Sequence, residues 1–113
     1  MNNTELKGIL DNHKKWCDGE CGGQRADLQG ADLQGANLQR ADLRWADLRW
    51  ADLDFSVWPL WCGSKQVKVD KRIASQLAAH FCALDCADKD YIKARDAILE
   101  FAQSSHIAKD LEV

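Results

Sequence analysis

The sequence lacks any hydrophobic run long enough to span a membrane, since no stretch approaches 18 consecutive apolar residues. Its first ten residues contain neither the basic segment nor the apolar segment of a secretory signal. We therefore expect a soluble, cytoplasmic protein with no membrane partner.

The chain also lacks a strong excess of one charge, because 15 Lys and Arg stand against 18 Asp and Glu, for a net charge of −3. Proteins that bind nucleic acid generally concentrate Lys and Arg on one surface, so direct nucleic-acid binding is not expected. A length of 113 residues predicts one small domain, 1–113, with little room for a large enzyme cleft.

Motifs of common enzyme classes are missing as well. The sequence contains no nucleophile elbow, phosphate-binding glycine loop, zinc-protease motif or dinucleotide fingerprint. We therefore expect neither enzymatic activity nor a cofactor. The number of cysteines, five, is odd, and the sequence shows no export signal. Both observations indicate reduced thiols rather than a disulfide framework.

A five-residue repeat dominates the middle of the chain. Six consecutive units between residues 26 and 55 follow the pattern Ala, Asp or Asn, Leu and two variable residues. A helix is excluded, because five helical residues advance by about 500° and would scatter the leucines around its axis. Ala and Leu flank one polar residue, which predicts a short extended segment followed by a turn. Such units bury little alone and must stack to form a core.

This motif resembles the pentapeptide-repeat proteins, in the small form associated with bacteria and their phages. The resemblance implies a mainly β solenoid with helical caps, a short right-handed quadrilateral β-helix with four units per coil. Looser units at 21–25 and 56–60 keep the same phase. The central leucines would then point inward: Leu28, Leu33, Leu38, Leu43, Leu48 and Leu53.

The two ends are expected to cap this β-helix. An amphipathic pattern between Leu6 and Trp16 predicts an N-terminal capping helix within 1–19, followed by the β-helix at 21–70. Alternating Val67 and Val69 suggest one more strand before a helical cap at 71–113. Asp70 is expected to begin a helix that runs to about Leu84, and Asp88 to begin another.

Large aromatic residues stand at outward positions of consecutive repeats, where earlier units carry glycine. Together with neighbouring charged residues they form a candidate surface for binding a partner, which we call the belt: Arg44, Trp45, Arg49, Trp50, Asp54 and Phe55. Trp and Arg are enriched at interface hot spots. Three explanations remain open, namely internal packing beneath the C-terminal helices, self-association as a homodimer, and binding of a foreign protein.

Acidic residues add a second candidate surface. Twenty-residue spacing should stack the outward aspartates in two pairs, Asp27 with Asp47 and Asp32 with Asp52. Some relatives are understood to imitate duplex DNA, but residues 21–70 hold seven acids and six bases. DNA carries one negative charge per ~1.7 Å, which exceeds this density. The alternative is that each carboxylate accepts a hydrogen bond from nearby backbone.

Cysteine and histidine spacing permits a metal-binding alternative. His13, Cys17 and Cys21 are spaced by four residues, and Cys82 and Cys86 lie one helical turn apart near His80. We favour instead buried cysteines that act as small apolar side chains, with Cys21 in an inward position.

These observations favour a non-enzymatic protein-binding module. Its partner would be a host protein, and its role that of a phage or mobile-element inhibitor acting on a nucleic-acid-handling machine. Such a machine would be a CRISPR or other defence effector, or a topoisomerase, whose nucleic-acid site it would occupy. The alternatives are a self-associating scaffold and a metal-binding protein.

Overall fold

A computed structural model describes all residues, 1–113, as two compact units, Met1–Val69 and Asp70–Val113. None of the helices is both long and apolar enough to cross a bilayer. The expectation of a single domain stays a prediction. The helices are α1 (Asn3–Cys17), a short 3-10 helix (Cys62–Ser64), α2 (Lys71–Cys82) and α3 (Lys89–Gln103).

The predicted β solenoid is wrong, because the structure contains no β-strand and no sheet, and its regular secondary structure is helical. The repeats pair only through isolated parallel bridges, such as Asp27 with Asp47 and Asn37 with Val57. The reason is the length of the repeat: each unit uses two residues for a turn, so its extended part is too short for consecutive bridges. The strand expected near Val67 and Val69 is likewise reduced to one bridge, at Lys68.

The bridges show how the repeats lie against one another. Most join residues 20 apart, so the chain returns alongside itself after four units, a circuit that we call a coil. Backbone hydrogen bonds form these bridges: on the two sides of Asp27, the Leu28 amide donates to the Asp47 carbonyl at 2.8 Å and the Asp47 amide donates to the Ala26 carbonyl at 3.1 Å. The burial predicted for the repeat leucines is confirmed for all six: Leu28, Leu33, Leu38, Leu43, Leu48 and Leu53.

Helix α1 confirms the amphipathic pattern, and its buried His13 is hydrogen-bonded to the repeats. Asn2 caps it, because its side-chain oxygen accepts the Glu5 amide at 2.8 Å. His13 is fully buried; its Nδ1 accepts the Ala26 amide at 2.9 Å and its Nε2 lies 2.8 Å from the Arg44 carbonyl. Since Nδ1 is an acceptor, the neutral ring carries its proton on Nε2 and donates it to that carbonyl.

In the second unit, α2 and α3 pack around Ala79, Cys82 and Ala102. The helix starts expected after Asp70 and Asp88 are confirmed, but α2 ends at Cys82, short of Leu84. The Tyr91 hydroxyl donates to the Phe81 carbonyl at 2.7 Å and lies 3.1 Å from the Leu84 carbonyl, so a side chain of α3 binds the backbone at the end of α2.

The cysteines follow the expected burial only in part. All five are free thiols and Cys82 is buried, whereas Cys21 and Cys86 are exposed. The inward position predicted for Cys21 is therefore wrong. Residues 21–25 form no bridge, so this loose unit, predicted from the sequence, does not pair with a neighbouring coil.

Candidate protein-interaction surface

The corners of the coil are β-turns in which the fifth residue of a unit adopts an unusual backbone conformation. In the first of them, the Ala31 amide donates to the Leu28 carbonyl at 3.1 Å, and Gly30 between them has φ of +68°. In a type II turn the third residue has a positive φ and the second does not, so glycine is favoured at the third position. Five of the six repeats share the left-handed residue: Gly30, Gly35, Trp45, Trp50 and Phe55.

Three large aromatic residues therefore occupy positions that suit glycine. A left-handed conformation costs a residue with a Cβ roughly 1–2 kcal/mol. Burial offsets little of this cost, because Trp50 is 62% exposed and Phe55 is 91% exposed. Burial therefore explains little of the aromatic side chains at these two corners, although the Trp50 ring contacts the Arg49 guanidinium.

Trp45 has a different environment from the other two aromatic residues. Its ring lies edge-on to Trp16 of α1, with 6.4 Å between centroids, and the Lys65 ammonium lies 6.0 Å from its centroid. Trp16 in turn stacks on the buried His13 ring at 5.6 Å. The explanation by internal packing thus applies to Trp45 within the first unit, where α1 makes the contact.

The two belt arginines are held between a carboxylate and an indole of the same repeat. Arg49 donates through Nη2 to Asp47 at 2.7 Å, and its guanidinium carbon lies 5.3 Å from the Trp50 ring centroid. Arg44 makes the equivalent contacts with Asp42 at 2.7 Å and with Trp45 at 5.9 Å. Both guanidinium groups are therefore fixed in orientation while remaining partly accessible.

These contacts shift the acidity of the carboxyl groups. The hydrogen bond from Arg49 lowers the pKa of Asp47 from 3.8 to about 2, although burial opposes the shift. The hydrogen bond from Arg44 likewise lowers the pKa of Asp42. The same pairing raises the pKa of both arginines above its usual value. Each ion pair is therefore fully charged at neutral pH.

Each acidic or amide side chain in the second repeat position accepts a hydrogen bond from its own turn. The Asp32 carboxylate accepts the Gln34 amide at 3.1 Å, and Asn37 accepts the Gln39 amide at 3.0 Å. The backbone explanation for these residues is thus present in the structure. The acceptors are Asp27, Asp32, Asn37, Asp42, Asp47 and Asp52.

The structure brings the predicted acidic pairs together but presents their members unequally. Asp27 bridges to Asp47, and Asp32 bridges to Asp52. Asp27 and Asp32 are exposed, whereas Asp47 is only 2% exposed and is paired with arginine. Asp52 is half-buried and accepts Gln34 Nε2 at 2.6 Å, and the belt residue Asp54 is half-buried too.

The metal-binding hypothesis is only partly matched by the geometry. His13 and Cys17 lie together with Asp42, but Cys21 is outside this group and His80, Cys82 and Cys86 do not converge. Both nitrogens of His13 are used in hydrogen bonds, and Arg44 holds the Asp42 carboxylate. Burial, followed by the Asp42 charge, raises the pKa of the Cys17 thiol, which disfavours the thiolate that a metal requires.

Sequence reasoning did not include two further exposed apolar residues among the site candidates. Leu60 is 95% exposed and Trp61 is 47% exposed. Leu60 is the fifth residue of the loose unit 56–60, and the fifth residue of the strict units lies at an outward corner. Applying the same reasoning to this unit would have identified Leu60.

Comparison with known proteins gives one match. A family model described as pentapeptide repeats (8 copies) matches residues 24–54. No curated protein matches the chain, and no solved structure matches it.

Proposed function

Because residues 24–54 match the model of the pentapeptide-repeat family, we propose that this chain is a non-enzymatic protein-binding module that binds through the belt. One observation carries the proposal: Trp50 and Phe55 combine a left-handed backbone with high exposure. Gly30 and Gly35 make the same turns elsewhere in the chain without a side chain. Binding energy from a partner supplies a reason for the aromatic residues that their burial does not.

The belt has the composition of an interface hot spot. Exposed aromatic rings offer large apolar areas, and the Arg44 and Arg49 guanidinium groups are already oriented by their carboxylates. Fixing these side chains before binding reduces the entropy lost on association. A partner with apolar pockets that receive Trp50 and Phe55 fits this surface.

We further propose that the partner is a basic host protein that handles nucleic acid, and that the chain inhibits it by occupying its nucleic-acid site. The role would be that of a phage or mobile-element inhibitor of a CRISPR or other defence effector, or of a topoisomerase. The exposed carboxylates of Asp27 and Asp32 support this choice, since they add negative charge one coil away from the belt residues. Charge complementarity of this kind predicts binding that weakens with salt.

A tagged pull-down from bacterial lysate, with and without nuclease, tests the proposal. The native chain is compared with the double variant Trp50→Gly and Phe55→Gly, which keeps a turn residue that the chain already uses. A second variant replaces Asp27 and Asp32 with Asn, which can still accept the turn hydrogen bond as Asn37 does.

We expect the native chain to capture a host protein whether or not nuclease is present, and the glycine variant to lose it. Capture that survives in the glycine variant would remove the belt from the interface. If the asparagine variant captures as much protein as the native chain, and salt does not weaken the capture, the proposal of a basic, nucleic-acid-handling partner is wrong. The proposal that the belt binds a protein would still stand. A native chain that captures nothing and dimerises by light scattering at micromolar concentration would instead support the self-associating scaffold.

A further inference from the structure

A groove with a volume of about 540 Å³ runs between α1 and one face of the repeats, within the first unit. Ligand pockets in proteins commonly have volumes of ~300–1,000 Å³, so this groove has the size of a binding site. Its apolar and polar walls include Leu6, Leu10, Asn37, Arg40, Ala41 and Trp61. Trp50 and Phe55 do not line it.

Trp61 forms a fixed aromatic wall of this groove. Its indole Nε1 donates to the Ala41 carbonyl at 3.2 Å, although the side chain is almost half exposed. The ring lies over Gly63, where a Cβ would overlap both the indole and the Ala41 carbonyl oxygen. A ring held in this way loses little freedom when a ligand packs on it.

Arg40 supplies a positive charge that no carboxylate of the chain neutralises. The other cations that line the groove are paired, Lys7 with Asp11 at 2.8 Å and Lys14 with Asp18 at 3.2 Å. The lining carboxylate of Asp42 is held by Arg44, which lies outside the groove. No hydrogen bond or ion pair joins the Arg40 side chain to the rest of the protein, so it is available to an anion.

The repeat pattern changes at this groove in two ways. Among the six strict units only this one has Asn instead of Asp in its second position, and only its corner residue, Arg40, lacks a positive φ. Asn37 keeps the turn hydrogen bond to the Gln39 amide at 3.0 Å but adds no negative charge. In the units of Arg44 and Arg49, by contrast, the aspartate of the same unit binds the arginine.

We propose that this groove binds a short extended segment of a partner protein in which a carboxylate stands next to an apolar side chain. The apolar side chain would pack on Trp61 and Leu10, and the carboxylate would accept hydrogen bonds from Arg40. The α1 residues that line the groove, from Asn3 to Lys14, extend over roughly 16 Å, the length of about five extended residues. The inference uses no belt residue, so it stands independently of the proposed function.

Fluorescence anisotropy with two labelled peptides tests this site on the full chain. One pentapeptide alternates leucine with glutamate, and its match alternates leucine with glutamine. We expect the glutamate peptide to bind the native chain about tenfold more tightly or better, as a hydrogen bond to a charged group would give. Arg40→Gln and Asn37→Asp should each weaken it by about tenfold, the first by removing the charge and the second by compensating it.

Two controls separate the groove from general charge effects. Arg25→Gln makes the same change of charge at an exposed arginine outside the groove and should leave the affinity unchanged. Trp50→Gly should also leave it unchanged, which distinguishes failure of this site from failure of the belt. Equal binding of the two peptides, no binding of either at millimolar concentration, or an equal loss in Arg25→Gln would overturn the proposal. Retained binding in a folded Asn37→Asp variant, verified by its helical circular dichroism, would overturn it as well.

Discussion

Asp47 shows how one side chain serves both the turn and the belt. Its carboxylate accepts the Arg49 amide at 3.1 Å, which closes the turn, and it also receives the Arg49 guanidinium. The residue is almost fully buried, so water contributes little to keeping it charged. The arginine therefore controls the acidity of this carboxyl group and the orientation of its own guanidinium together.

This arrangement predicts acid sensitivity. Because the pKa of Asp47 is lowered to about 2 in the fold from 3.8, the carboxylate stabilises the folded state above pH 3.8. That contribution is lost as the pH falls from 3.8 towards 2. Urea unfolding should therefore show native protein more stable than Asp47→Asn at pH 7, with a difference that shrinks over this interval.

Arg49→Gln provides the matched control for that titration. It removes the guanidinium that lowers the pKa of Asp47, so the folded and unfolded pKa values converge and the loss of stability between pH 3.8 and 2 should be smaller than in the native chain. A difference between native and Asp47→Asn that stays constant down to pH 2 would contradict the assignment.

Truncating a corner residue should change the unfolding free energy much less than truncating a core residue of the same repeat. Phe55→Gly relieves a left-handed strain of roughly 1–2 kcal/mol but adds freedom to the unfolded chain, so its unfolding free energy should stay within about 1 kcal/mol of native. Leu53→Ala should cost about 2–5 kcal/mol, since Leu53 is buried. Urea unfolding measures both, and a large loss in Phe55→Gly would mean that the ring supports the fold.

At the scale of elements, the attachment of α1 depends on His13 more than on apolar contact alone. This one ring satisfies an amide of the first repeat and a carbonyl 31 residues further along the chain from His13. The Gln24 amide also donates to the Asn12 carbonyl of α1, at 3.0 Å. The helix thereby supplies acceptors and a donor to backbone groups that the bridges leave unpaired.

His13→Ala should therefore destabilise the chain strongly. It leaves the Ala26 amide and the Arg44 carbonyl without their partner, and each unsatisfied buried group costs ~1–3 kcal/mol. We expect a loss of about 2–5 kcal/mol in urea unfolding, against at most ~0.5 kcal/mol for the exposed neighbour Asn12→Ala. Equal effects of the two substitutions would show that α1 is held by its apolar residues instead.

At the scale of the whole molecule, local patterns and the stacking of residues 20 apart were predictable, whereas contacts outside the repeat were not. The five-residue period places Leu28 and its five equivalents in the interior, and amphipathic spacing identifies the helices. The absence of strands was not predicted, because the pattern marks extended residues but not how many consecutive ones pair. Nor does any local signal place Trp16 against Trp45, since this contact joins α1 to a repeat.

The type II corners also make this chain suitable for the design of new binding surfaces. Glycine at position 30 and tryptophan at position 50 make the same turn on the same side of neighbouring coils, with φ of 68° and 63°. The residue displayed at a corner can thus be exchanged while the leucines beneath it keep their places. A library that varies only the fifth residue of each unit would sample many binding surfaces on one unchanged backbone.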